Sequence, residues 1–464
     1  MTKIFDFSDS LTIFALENKT YHLNMLLRAT FQNILSFKDE VQISFVAGKS
    51  TLHPEQVFRA EKRDDISVLK SGIIYGANAS GKSNIIKAIA IIQDIALGAF
   101  PRYRIEPFKL AADPGTISKI ELEFKVDSKF YAYGVEFNIQ GIKEEWLYEV
   151  NCRTEKAVFT RKTIDDEPVF EFGTISGGAA NTQLLKFLSH ATPKDKSFLS
   201  EYVQRNGAGL DTVKNAYGWF ADRLQIIFPD TRYRGLTYEI ESQGAFQDAT
   251  KLLLEFFNTG IVDIRRYPVK IDEVDIPANV IKDIISKGRP GQIYAIASPQ
   301  GLFLYYLEVG ADGQYQLSKQ KAVHHNAQND EVVFEMNEES DGSIRLLDFI
   351  PMLIDLRTNP RIYLVDEIDR SMHPMLSQKI LECYNSTLSA ERDTQLIFTT
   401  HESNLLNLDL IRTDEVWFVE KDNGGASHMT SLAEYKPRED VQKGYLQGRY
   451  GAIPFFASIK SLKW

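Results

Sequence analysis

Gly76-Ala77-Asn78-Ala79-Ser80-Gly81-Lys82-Ser83 decides the fold of this chain, because it satisfies G-x-x-x-x-G-K-[ST] at every defined position. The apolar run before it, Gly72-Ile73-Ile74-Tyr75, reads as a strand, and Asn84-Ile85-Ile86-Lys87-Ala88-Ile89-Ala90-Ile91-Ile92 after it reads as a helix. Strand, glycine loop and helix form the setting in which this pattern binds phosphate. Glycines let backbone N–H groups turn inward around phosphate oxygens, and the helix N-terminus adds partial positive charge at the same spot. Gly76, Ala77, Asn78, Ala79, Ser80, Gly81, Lys82, Ser83 and Asn84 are therefore expected to cradle ATP. Lys82 is expected to reach the β- and γ-phosphates, and the Ser83 hydroxyl to bind Mg²⁺. The plainer alternative is a glycine turn before a core helix, which the flanking pattern disfavours.

A second set of motifs lies far downstream. Ile362-Tyr363-Leu364-Val365 reads as a buried parallel strand ending in Asp366-Glu367. Acids at that place suit a Walker-B pair, with Asp366 on Mg²⁺ and Glu367 polarising an attacking water. Solvated acids at an ordinary strand end are the alternative. Gln395-Leu396-Ile397-Phe398-Thr399-Thr400 is another buried-type strand, ending at His401. A histidine there can sense the γ-phosphate, because its charge state is easily moved. Between the two halves, Glu339-Ser340-Asp341-Gly342-Ser343 opens an apolar helix from Leu346 to Leu356, with Pro351 inside it as a candidate kink. Ser340 or Asp341 could simply cap that helix. A second phosphate-binding helix end is more useful in trans, against another subunit's nucleotide.

The chain resembles the stand-alone ABC-type ATPases related to RecF, SMC and OLD proteins, a group that includes RloA-like and abortive-infection components. The resemblance covers most of the chain. It rests on Phe31-Gln32-Asn33-Ile34-Leu35-Ser36-Phe37-Lys38-Asp39-Glu40, on the P-loop, on Glu144-Glu145-Trp146-Leu147-Tyr148 and on Glu339 to Gly342. Asp366 to Pro374 and the tail Lys443-Gly444-Tyr445-Leu446-Gln447-Gly448-Arg449-Tyr450-Gly451-Ala452-Ile453-Pro454 complete it. It implies a two-lobed α/β head around a mixed or parallel sheet, in which two subunits sandwich two ATP molecules. It also implies that Ser340 and Gly342 fill the signature positions, that Asp366 and Glu367 are the Walker-B pair, and that His401 is the switch histidine. Lys82, Glu367 and His401 would then be the catalytic residues, and Asp369 to Pro374 the D-loop. The signature departs from that of transporters, with Ser-Asp-Gly-Ser where they have Ser-Gly-Gly-Gln. No Q-loop glutamine stands out. Gln140 is the nearest candidate and reads equally well as a hairpin-turn residue.

Composition narrows the class. The chain has 464 residues, 44% hydrophobic and 25% charged, which fits a globular protein of two or three units with a large core. Its net charge of −10 speaks against a mainly electrostatic grip on nucleic acid. Cys152 and Cys383 give neither a disulfide framework nor zinc spacing. With no apolar run of membrane-spanning length and no signal-peptide pattern, a cytoplasmic protein is expected.

Residues 1–150 are expected to form the first ATPase lobe with the P-loop, and 331–464 the second lobe with the tail. Residues 151–330 are expected to form a mostly helical insertion without a coiled-coil arm, since sustained heptads are missing. In the tail, Arg438, Lys443, Arg449 and Lys460 offer a basic contact surface, against the alternative of a tail folded over the core.

Two functions from different classes fit these motifs. The first is an ATP-driven, homo-oligomeric scaffold that restrains a separate effector, a nuclease or toxin, until a phage-encoded trigger appears. OLD-type relatives carry a Toprim nuclease after the ATPase, and the roughly sixty residues after His401 are too few for one. The resemblance on this point is to the ATPases of PARIS-type anti-phage systems. The second is a RecF-like repair protein whose DNA binding is gated by ATP. A transporter subunit fits least well, and no membrane partner is expected.

Overall fold

The functional motifs converge on one sheet. The computed structural model describes residues 24–59, 66–111, 117–151, 154–164, 167–232, 244–287, 293–298, 304–310, 314–388, 393–437 and 440–453. Cys152, Arg438, Pro454 and Lys460 lie outside the described residues.

The central sheet has six strands, numbered here in chain order: β1 (Ser71–Gly76), β2 (Leu224–Ile227), β3 (Ile362–Val365), β4 (Gln395–Thr399), β5 (Val416–Lys421) and β6 (Ser427–Ser431). Across the sheet they run β2-β3-β4-β1-β5-β6. Neighbours are parallel from β2 to β5, and β6 closes antiparallel on β5. Every residue of β1 and β4 is buried. That is why both read as unbroken runs rather than alternating ones. Ligands of parallel sheets bind beyond the strands' carboxyl ends. There β1, β3 and β4 deliver the P-loop, Asp366-Glu367 and His401.

Four helices frame these ends: α1 (Lys82–Ala96), α2 (Asp341–Thr358), α3 (Pro374–Ser386) and α4 (Val441–Leu446). Side chains of β1 alternate between two cores. Ile74 joins the cluster containing Ile85, Ile89 and Ile92 of α1, whereas Ile73 and Tyr75 join the one containing Leu346, Phe349 and Ile350 of α2. The two helices therefore cover opposite faces of the sheet. Pro351 lies inside α2, which continues through it to Thr358.

A seven-stranded antiparallel sheet packs over α1. Its order is Glu167–Phe172, Glu155–Ile164, Gly141–Val150, Lys129–Asn138, Ser118–Val126, Asn24–Gln32 and Val41–Ser44. The alternating stretches 119–126 and 130–137 pair as a hairpin, with Asp127 in the turn at φ 55°.

The interval 151–330 is mixed, not mostly helical. It contributes Glu155–Ile164 and Glu167–Phe172 to the antiparallel sheet, and β2 to the central one. It also forms a third sheet from Asp263–Pro268, Tyr315–His325, Leu304–Val309 and Ile293–Ala297, joined by Glu331–Glu335. The cut at 150/151 thus falls between two paired strands, Gly141–Val150 and Glu155–Ile164. The helical stretches read around 184–188, 249–257 and 280–286 lie in Gly178–Ala191, Gly244–Phe256 and Ala278–Lys287. The strands around them carry charged and aromatic residues on half-covered faces, which blurs a period-2 signal. The whole is an α/β fold with a parallel core between helices, a P-loop at the end of its β1 strand and a flanking antiparallel sheet.

Candidate functional site

The loop between β1 and α1 is built around missing side chains. A Cβ on Gly76 would lie 2.4 Å from Ser80 Oγ and 2.6 Å from the Val419 carbonyl. Gly81 sits at φ +114°, and a Cβ there would meet Ser427 Oγ at 2.3 Å and Ser36 Oγ at 2.7 Å. Those two hydroxyls brace the loop from beneath. Ser427 donates to the Ser80 carbonyl (2.6 Å) and accepts from the Ser36 hydroxyl (2.8 Å), and Asn84 Nδ2 donates to Ser36 Oγ (2.8 Å). Ala79 also takes a left-handed conformation, φ 62°.

Lys82 lies folded back into this loop. Its Nζ donates to the carbonyls of Gly76 (2.7 Å) and Ala77 (3.1 Å) and stands 3.5 Å from His401 Nδ1. Burial pulls its pKa down to about 8, against the opposing pull of Asp369, Asp366 and Glu367. The same burial, reinforced by the Lys82 ammonium, lowers the pKa of His401 and favours a neutral ring. With Nδ1 turned toward Lys82, Nε2 is the nitrogen left to donate. The His401 backbone N–H points to the Asp369 carboxylate (3.3 and 3.4 Å).

Asp366 and Ser83, 283 residues apart, are directly joined: Ser83 Oγ donates to Asp366 Oδ1 at 2.9 Å. Thr399 Oγ1 donates to the same oxygen at 2.7 Å and accepts from the Glu367 backbone N–H at 2.7 Å. Asp366 is 2% exposed, so its oxygens are held by these partners rather than by bulk water. Glu367 adopts φ 51°, which turns the chain sharply after β3, and Arg370 lies 3.8 Å from its carboxylate. A hydroxyl and a carboxylate oxygen are hard donors of the kind Mg²⁺ takes when substrate phosphates complete its shell. Among the described residues no cluster of three or more His, Cys, Asp or Glu could hold a metal. A Mg²⁺ site shared with phosphate does not need one.

Ser340 caps α2 by accepting from the Ser343 N–H (3.1 Å), as a capping reading requires. Gly342 faces the 369–373 turn: a Cβ on it would lie 3.0 Å from the Ser371 carbonyl. Among the described residues, no hydrogen bond joins Ser340 or Gly342 to the P-loop of the same chain. Thus Lys82, Ser83, Asp366, Glu367 and His401 come together with the loop Gly76 to Asn84, while Ser340 and Gly342 stand apart beside the 369–373 turn.

Gln140 does not approach the site. It lies in the hairpin between Lys129–Asn138 and Gly141–Val150, its N–H donating to Asn138 Oδ1 (3.0 Å). The strand that neighbours β3 on its far side is β2, and its exit Phe228-Pro229-Asp230-Thr231-Arg232 flanks the Asp366 end. Arg345 of α2 grips that exit, donating to the Thr231 (3.1 Å) and Phe228 (3.3 Å) carbonyls. Sequence reading assigned no role to Ser36, Thr399 or this exit, and gave Asp369 only a place in the D-loop stretch. Ser36, Thr399 and Asp369 lie within motifs already picked out, whereas the short strand β2 gave no signal of its own.

Residues 73–407 match a family model described as "AAA domain, putative AbiEii toxin, Type IV TA system". Among solved structures, an SMC head bound to the C-winged helix domain of ScpA is similar at 14% identity and TM-score 0.40, covering 88% of this chain and 99% of that one. The SMC head domain from Thermotoga maritima is similar at 14% identity and TM-score 0.36, covering 88% and 98%. No curated protein matches the chain.

Proposed function

The chain belongs to that AAA-domain family, and from this premise we propose that it hydrolyses ATP between two subunits and uses the cycle to hold and release a separate effector. The observation that carries the reading is the Ser83–Asp366 contact, which brings a P-loop hydroxyl and a Walker-B carboxylate onto one point. Ser83 and Asp366 would hold Mg²⁺, which when bound neutralises charge on the β- and γ-phosphates.

The chain's own groups supply the rest. Lys82 leaves the Gly76 and Ala77 carbonyls to clamp the phosphates. Glu367, oriented through its N–H to Thr399, accepts a proton from the attacking water. A neutral His401 donates from Nε2 toward the γ-phosphate. The N-terminal turn of α2, with Ser340 and Gly342, closes over the partner subunit's nucleotide.

Glu367→Gln tests this core. Nucleotide affinity should stay within about threefold, and turnover should fall by roughly a hundredfold or more. Unchanged turnover would place the water-activating group elsewhere.

For the wider role we propose an anti-phage, abortive-infection ATPase whose effector is a Toprim-type nuclease on another chain, with a phage product as trigger. Membership of a family described as a putative AbiEii toxin of a type IV TA system supports it. The Glu367→Gln protein, made with its neighbouring gene product and purified in ATP, should yield a particle containing a second protein in fixed ratio. A homodimer alone would reject the effector.

A further inference from the structure

The third sheet is tied to the Ser340 turn by a part-buried polar pair. Glu339 immediately precedes Ser340, and its side chain is 6% exposed. A carboxylate so placed is costly without a partner. Its partner is His324, whose Nε2 lies 2.5 Å from Glu339 Oε1. The ring of His324 is fixed in turn: it packs on Phe334, centroids 4.5 Å apart, and its Nδ1 faces Gly260 at the opposite side. His324 stands on strand Tyr315–His325 and pairs with Val332 of Glu331–Glu335. From that strand the chain runs through one 3₁₀ turn, Met336–Glu338, into Glu339 and Ser340. The sheet therefore reaches the turn twice, by chain continuity and by the His324–Glu339 bond.

We infer that His324 is a positioning residue for the ATP sandwich. By holding Glu339 it fixes the direction in which Ser340 and the first turn of α2 face the partner subunit. The inference rests on the trans role of Ser340 proposed above. It makes the 263–335 sheet an input to dimer closure, with no contact to the nucleotide of its own subunit.

The test uses the full chain carrying Glu367→Gln, with ATP affinity read from a fluorescent ATP analogue and dimer dissociation from sedimentation in ATP. His324→Phe keeps a ring against Phe334 and removes the donor; Glu339→Ala removes the link without stranding a charge, which covers a folding failure of the first variant. Both should leave ATP affinity within about twofold and weaken the ATP-dependent dimer roughly tenfold or more. His324→Gln, which returns a donor at similar reach, should restore the dimer. A purely structural role would lower stability without this split and without rescue. Ser340→Arg is the control for the underlying reading. If it leaves the dimer intact, the sandwich itself is wrong. If it abolishes the dimer while the His324 and Glu339 variants do not weaken it, only the positioning role falls.

Discussion

Gly81 shows how far a single residue can be read. The motif demands glycine there, and the structure gives two independent reasons: a φ of +114° and the Ser427 and Ser36 hydroxyls standing where a Cβ would go. Neither hydroxyl can retreat freely, because Ser36 also accepts from Asn84 and Ser427 also donates to the Ser80 carbonyl. Gly81→Ala should therefore cost about 2–4 kcal/mol of stability. It should also lower ATP affinity at least about tenfold, since Asn84 and the first turn of α1 move with Ser36. Chemical denaturation and nucleotide titration check the two effects; a variant as stable and as tight as the parent would mean the loop relaxes at no cost. The same comparison marks the limit of sequence at this scale. Lys82, Ser83, Asp366 and Glu367 were legible because their chemistry dictates their type and spacing. Ser36 and Thr399 were not, because a serine or threonine hydroxyl announces nothing until the fold brings an acceptor to it.

At the scale of elements, the tail is the clearest case. Its charges suggested a basic contact surface, but its aromatic residues decide its place. Tyr445 of α4 stacks on Phe418 of β5, centroids 5.6 Å apart, and packs on Tyr75, 5.7 Å away, one residue before the P-loop. Tyr450 stacks on the same Phe418 ring at 5.7 Å. Gly444 is needed for this, since a Cβ on it would press on the Tyr450 ring and hydroxyl at 2.8–3.0 Å. Lys443 and Arg449 remain on the outside. The described part of the tail is therefore folded over the core. Gln442 also bonds Asn404 (2.9 Å), three residues beyond His401. Tyr445→Ala should cost about 3–5 kcal/mol and lower ATP affinity along with stability, because Tyr75 loses its cover. Thermal unfolding with and without ATP is the measurement, and a loss of under about 1 kcal/mol would show the stack to be peripheral. The insertion is the converse case. Its helices carried a 3.6-residue period that could be read. Strand Tyr315–His325 mixes Lys319 and Lys321 with Leu317 and Val323 on one face, so its burial depends on neighbours far away in sequence.

At the scale of the whole molecule, the Ser340 turn, which among the described residues makes no hydrogen bond to its own chain's P-loop, is free to meet another subunit's nucleotide, and the proposed active unit is a pair. Each composite site would take Lys82, Ser83, Asp366 and Glu367 from one subunit and Ser340 with Gly342 from the other. An isologous dimer then has a property that a monomeric ATPase lacks. Lys82→Ala and Ser340→Arg should each be inactive alone, because every site in either homodimer carries one lesion. In a heterodimer of the two, one site collects both lesions and the other collects none. An equal mixture that exchanges freely should regain about a quarter of the wild-type turnover, half the dimers being mixed and half their sites intact. The rate should rise and fall with the ratio of the two proteins and peak at equality. A monomer that did chemistry alone would show no gain at any ratio, since neither parent contributes a complete site. The complementation therefore reads the trans geometry directly, without depending on the identity of the effector, the trigger or the step at which they act.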